Sequence, residues 1–361
     1  MKVRMALLMV VAGLLLVTAL SACAPTVPTA ATVPPPTSAP SPTSASVPTS
    51  APTAAVAGGK KFTIGIARIS FIALIANMHD EMKKELAREG FVEGKNVTYV
   101  EENAQGDMNN VPLVAKQIVQ RKPDVIVAGG TPMILAIQKE TSTIPVVFGA
   151  MTDPVASGVV KSVDHPGTNF TGTSDWLAPA IILDQITQVL PKAQKIGLIG
   201  NIAEQNTQLQ IKAITDEAQK RGMQVVTAPT ASTNDILPAA QSLKGRVDAV
   251  ILPSDATLLS AIPTVAKAIS DAGLPLFVTQ GNAPKDGALL GIGVDYGQLG
   301  TLNGKIVAEI LRGKSPADIP VVYGNTEAGG GIYISVNTTV AKNLNITLPD
   351  SILNKAVQKY Q

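Results

Sequence analysis

The chain has 361 residues, 45% of them hydrophobic and only 3% aromatic, with 29 basic residues against 27 acidic ones. A balance this close to neutral, with so few rings, excludes a nucleic-acid-binding face, which needs a basic surface and stacking platforms. The single cysteine excludes a disulfide within the chain, and two histidines far apart, His79 and His165, give no metal-ligand spacing.

The N-terminus opens on Lys2 and Arg4, runs apolar from Met5 to Leu20 and ends in Leu20-Ser21-Ala22-Cys23. A short basic stretch, an apolar run below the roughly 20 residues that span a bilayer, and small residues at its end read as a secretory signal over 1–22. Its last residues resemble a lipobox, which implies cleavage before Cys23 and acylation of that thiol. The other reading is an uncleaved anchor helix ending in a buried cysteine. One acyl chain holds a protein only marginally, so stable membrane anchoring implies more than one on Cys23. Residues 24–59 contain 9 Pro, 9 Ala, 7 Thr and 5 Ser without a single charge. Such a composition stays disordered with a polyproline bias, so 23–59 reads as a lipidated cysteine and a tether.

Phe62–Ala67 then reads as a buried strand. A helix follows whose polar face carries Glu81, Lys83, Lys84, Glu85 and Arg88 and which ends near Gly90. Strands at 96–100, 124–128 and 145–148 alternate with helices at 111–120 and 131–139. Between Asp153 and Asp175 the rhythm breaks, punctuated by Pro154, Gly158, Pro166, Gly167 and Gly172. It resumes with strands at 195–199, 224–227, 248–252 and 275–278 and helices at 204–221, 236–243 and 258–271. A strand at 289–294, a helix at 296–311 and strands at 321–323 and 331–335 complete the pattern.

Continuous apolar strands interleaved with helices predict an α/β protein of two doubly wound, parallel-sheet lobes with a ligand cleft between them. The first lobe is expected to hold 60–174 and about 295–320, the second 175–294 and about 321–361. Ligands of such sheets sit at the carboxyl ends of strands.

Several segments carry a resemblance when taken together. They are Asn103-Ala104-Gln105-Gly106-Asp107, Ile144-Pro145-Val146-Val147-Phe148 with Thr152-Asp153-Pro154-Val155, and Thr168 through Asp175. Asp248 through Asp255, Gly293-Val294-Asp295-Tyr296 and Pro316-Ala317-Asp318-Ile319-Pro320 belong to the same set. The set resembles the ABC-transporter substrate-binding lipoproteins that include tryptophan- and tyrosine-binding members. That resemblance implies a type 1 periplasmic-binding-protein fold with three hinge crossings, no chemistry, and delivery of a small solute to permease subunits. The sequence departs from the family twice. Ile69-Ser70-Phe71-Ile72 stands where members often have His-Pro, and Ile202 replaces the proline of an Asn-Pro-x-Glu-x-Asn motif ending at Asn206.

The candidate ligand-binding residues follow from position and charge. Thr131 and Pro132, after Gly129-Gly130, read as an N-cap and a first helical residue whose exposed amides suit a carboxylate. The alternative is an ordinary helix start. Asp175, Asp255 and Asp295 each follow a strand and precede a helix, where an aspartate either pairs with a buried ammonium or caps the helix. Glu204 and Asn206 come next, with a solvated first turn as the other reading. Trp176 and Phe71 are the aromatic candidates; Trp176 and Tyr296 either line the cleft or pack the hinge.

No Gly-x-Ser-x-Gly elbow or Walker loop appears, and Gly291-x-Gly293 places its next glycine, Gly297, one residue too far for a dinucleotide fingerprint. An enzyme is not expected, and neither is a cofactor or a metal. The expected solute is an amino acid, aromatic or branched; a sugar or nucleoside carrier of the same fold and a ligand-sensing ectodomain are the alternatives. The expected partners are the solute, the permease and the membrane through the lipid anchor, around a monomer.

Overall fold

The computed structural model describes residues 59–70 and 73–361; the expected signal sequence over 1–22, Cys23, most of the expected tether and Phe71 lie outside them. Strand β1 (Phe62–Arg68) is buried on both faces, with Ile64 and Ile66 fully enclosed, so helices must cover both sides of its sheet. Helix α1 (Ala73–Arg88), β2 (Val97–Asn103), α2 (Val111–Gln120), β3 (Val125–Gly129), α3 (Thr131–Glu140), β4 (Val146–Gly149) and β5 (Phe170–Ser174) follow.

The first five strands form one parallel sheet in the spatial order β5-β4-β3-β1-β2. Strand β5, inside the segment expected to be irregular, is Phe-Thr-Gly-Thr-Ser and buried throughout. Of its two buried threonines, Thr171 is held by hydrogen bonding rather than by hydropathy, donating its hydroxyl to the Ile319 carbonyl at 2.6 Å.

The chain then leaves this sheet. Helix α4 (Pro179–Val189), to which the sequence pattern gave no element, buries Ile182, Leu183, Ile186 and Val189 at helical spacing. Next come β6 (Lys195–Asn201), α5 (Gln205–Lys220), β7 (Gln224–Thr230), α6 (Ile236–Leu243) and β8 (Ala249–Leu252). The single helix expected at 258–271 is two, α7 (Ala256–Leu259) and α8 (Ile262–Asp271). Pro263 causes the break, because it has no N–H for the Leu259 carbonyl and disfavours helical backbone before it. Strands β9 (Leu276–Val278) and β10 (Leu290–Val294) complete the parallel part of the second sheet.

Helix α9 (Tyr296–Leu311) returns to the first lobe and packs along α1. Strand β11 (Val322–Tyr323) was expected to open the second lobe's last segment. It instead pairs parallel with β5 and extends the first sheet, because Val322 and Tyr323 lie in register with Thr173 and Ser174. The crossing therefore falls at 324–331. Strands β12 (Ile332–Asn337) and β13 (Ala356–Tyr360) finish the second sheet, in the order β13-β12-β10-β9-β8-β6-β7. Strand β12 runs antiparallel to β10, so this sheet is mixed at one side.

The three crossings bind one another. Gly324 donates its N–H to the Ser174 carbonyl at 2.8 Å, and any Cβ on Gly324 would come within 2.8 Å of Val294. Tyr296 donates its hydroxyl to Asp175 Oδ2 at 2.9 Å. Beside them Met78, Ala150, Val294, Tyr296 and Leu299 form a small apolar cluster shared by elements of both lobes. The lobes also meet across the cleft, where α3 approaches α5 and Ala256 packs on the first-lobe core.

Candidate functional site

Residues just beyond the strands' carboxyl ends line one cavity of about 560 Å³, counting space at its open side. The first lobe supplies Ile69, Ser70, Ile75, Gly129 to Pro132, Ala150 and Thr152. The second supplies Asn206, Ser254, Asp255, Ala256, Leu259 and Gln280, and the crossings add Asp175 and Tyr296.

Strand β3 turns into α3 through Gly130, whose φ of 84° belongs to glycine. Gly130 is the N-cap, so Thr131 and Pro132 occupy the first two helical positions rather than the cap and the first. The Thr131 hydroxyl accepts the Thr152 N–H at 3.3 Å, which ties the loop after β4 to the start of α3. The positive end of that helix thus stands at the cavity wall, where negative charge is stabilised.

Asp175 is the least satisfied charge at the cavity. Its Oδ2 accepts the Tyr296 hydroxyl, while its Oδ1 is shielded from solvent and meets no donor at good hydrogen-bond geometry. Burial pushes this carboxyl up to about 6; the Tyr296 hydroxyl opposes that rise most strongly, followed by its own backbone N–H and the Thr152 hydroxyl. The same burial, with Asp175 alongside, holds the Tyr296 phenol well above its ordinary range.

Asp255 also faces the cavity, yet its carboxylate is engaged within the protein. It accepts the Asn201 N–H at 2.5 Å, the Thr207 hydroxyl at 3.0 Å and the Leu258 N–H at 2.8 Å, the last as N-cap of α7. Burial and then the Glu204 carboxylate raise its pKa, against the pull of those donors. Glu204 is buried rather than solvated and lies behind the wall. It accepts the Ala256 N–H, the Thr257 N–H and the Thr257 hydroxyl at 2.9, 2.9 and 2.6 Å. Asn206 donates from Nδ2 to the Ser254 carbonyl at 2.6 Å, and its Oδ1 is buried with no protein partner.

Besides Glu204, two further candidates do not line the cavity. Asp295 is exposed and caps α9, accepting the N–H groups of Gly297 and Gln298. Trp176 is half-buried in the first crossing, its N–H donating to Ser174 Oγ. Sequence reasoning missed Ser70, Ile75, Thr152, Ser254, Leu259 and Gln280 as cavity residues. Thr152, Ser254 and Gln280 stand two or three residues beyond β4, β8 and β9, so the rule that exposed the aspartates applies to them too.

Residues 67–360 match the family model described as ABC transporter substrate binding protein. A tyrosine-binding protein of Clostridioides difficile (strain R20291) is 34% identical over 262 residues, 73% of this chain and 76% of that one. The structure of an ABC domain from Streptococcus pneumonia in complex with L-Trp superposes with a TM-score of 0.78 at 29% identity, covering 83% of this chain and 100% of that one. A ligand-free, open substrate-binding protein with adhesive properties from Clostridium difficile gives 0.63 at 30% identity, with 83% and 100% covered. The two-lobed architecture is that of type 1 periplasmic binding proteins, and the chain belongs to the ABC transporter substrate-binding protein family.

Proposed function

We propose that this protein works outside the cytoplasm, held to the membrane by acylation at Cys23, and delivers an L-amino acid with a large apolar side chain to an ABC permease. One observation carries the amino-acid reading: Asp175 Oδ1, shielded at the cavity and left by the protein without a well-formed hydrogen bond. A buried carboxylate without a partner is costly, and an ammonium group relieves it. Asn206 Oδ1 offers a second acceptor at the same cavity. The start of α3 suits the solute's carboxylate, and Ile69, Ile75, Pro132, Ala150 and Leu259 offer apolar walls for its side chain. The tyrosine and tryptophan named for two relatives agree in chemical class.

Calorimetric titration of the purified protein with L-tyrosine, L-tryptophan, L-leucine, arabinose and adenosine tests this reading. At least one amino acid is expected to bind at roughly micromolar affinity or tighter, the range in which about 8 kcal/mol of binding energy falls. Binding of only the sugar or the nucleoside overturns it. For the anchor, Cys23→Ala is expected to move the protein from the membrane fraction to the soluble one; retention at the membrane refutes the lipobox reading.

A further inference from the structure

Glu204 touches neither the cavity nor bulk solvent, being 3% exposed, yet its carboxylate bridges two second-lobe loops. One is its own, leading into α5, whose first turn carries Asn206. The other runs from β8 into α7 and carries Ser254, Asp255 and Ala256 on the cavity wall. Its Oε1 takes the Thr257 N–H and hydroxyl, and its Oε2 takes the Ala256 N–H and, at 3.3 Å, Asn206 Nδ2. Asn206 Nδ2 thus lies between two groups that only accept, this carboxylate and the Ser254 carbonyl. The amide has one satisfactory orientation there, with Nδ2 turned inward and Oδ1 left as a bare acceptor.

We infer that Glu204 is a positioning residue for solute specificity. By bridging the loops it holds Asn206 with its acceptor available to solute, so that the cleft selects a protonated amine over the same molecule without one. The inference rests on the amino-acid reading above and adds the device that sets the selection.

Glutamine at 204 must turn its nitrogen toward one of these donors. The backbone N–H groups of Ala256 and Thr257 cannot become acceptors, so one of them loses its partner, the bridge between the loops loosens and Asn206 is no longer fixed against the Ser254 carbonyl. The test uses L-tyrosine with 3-(4-hydroxyphenyl)propionate, and L-tryptophan with 3-(indol-3-yl)propionate, titrated against the wild type, Glu204→Gln, Asn206→Leu and the double variant. The wild type is expected to prefer the amino acid, and each single variant to shrink that preference by about tenfold to a hundredfold, the worth of a hydrogen bond to a charged group. The double variant is expected to match Asn206→Leu, because Glu204 acts through Asn206. An unchanged preference in Glu204→Gln, or additive losses in the double variant, overturns the inference while leaving the amino-acid reading intact. A wild type that does not distinguish amine from deaminated acid overturns both.

Should Glu204→Gln fail to fold, the unmodified chain decides. The Asn206 Nδ2 protons, followed by nitrogen-15 NMR without solute, are expected to exchange slowly with water; rapid exchange overturns the inference.

Discussion

Asp175 places stability and binding in opposition at one side chain. Its carboxyl titrates near 6, above the ordinary 3.8, so burial favours the protonated form in the solute-free protein. A raised folded value means that its contribution to stability is full below about 3.8 and is lost as pH rises through 6. Asparagine at 175 keeps an acceptor for the Tyr296 hydroxyl but has no charge to bury. Asp175→Asn is therefore expected to melt higher than the wild type at pH near 7.5 without solute, by up to about 3 kcal/mol, and equally at pH near 4. The same variant is expected to bind an amino acid at least about a hundredfold more weakly, since the ammonium loses its partner charge. Wild-type affinity is expected to be level above pH 6 and to fall below it, as protons compete with the ammonium for Asp175. Calorimetry and thermal unfolding at the two pH values check both halves. A variant that melts lower at the higher pH, or keeps wild-type affinity, contradicts the account.

Elements that bury apolar side chains at regular spacing were legible in the sequence, and those held by other means were not. Strands β1, β3, β4 and β8 are mostly apolar runs buried on both faces, and their positions follow from hydropathy. Strand β5 escapes that reading because it carries two polar threonines, and Thr171 is buried through a bond to the distant Ile319 carbonyl that no local window contains. Strand β11 is two residues long, and only its partner β5 decides which lobe it joins. The division between α7 and α8 was legible in principle through Pro263, which stands inside the apparent helix. At the site, the carboxyl-edge rule led to Thr131, Pro132, Asp175, Asp255 and Asn206, all on the cavity wall. It could not separate them from Asp295, because an aspartate capping a helix and one facing solute occupy the same place in sequence.

Within the described residues the two lobes are closed on one another. Across the cleft Ala256 packs on the first-lobe core, and α3 lies against α5. At nearly equal identity the chain superposes better on the L-Trp complex than on the ligand-free open protein, with TM-scores of 0.78 and 0.63. Opening must occur about the three crossings, whose mutual contacts include the Tyr296 hydroxyl on Asp175 and the Gly324 N–H on Ser174. Solute shifts the population toward the closed form only by binding it better than the open one, and under the proposed reading Asp175, a charge partner set at the crossings, would do that. Trp176, the chain's sole tryptophan, lies in the first crossing next to Asp175 and outside the cavity lining. Its fluorescence is therefore expected to report closure without direct contact. Titration with a solute lacking an indole, L-tyrosine or L-leucine, is expected to change the emission of the wild type with the same midpoint as calorimetry. Trp176→Phe is expected to abolish that signal while leaving calorimetric affinity within about threefold, since only hinge packing of similar shape is altered. An affinity loss of about tenfold or more would put the indole against the solute, and the crossing would then be part of the binding wall rather than its hinge.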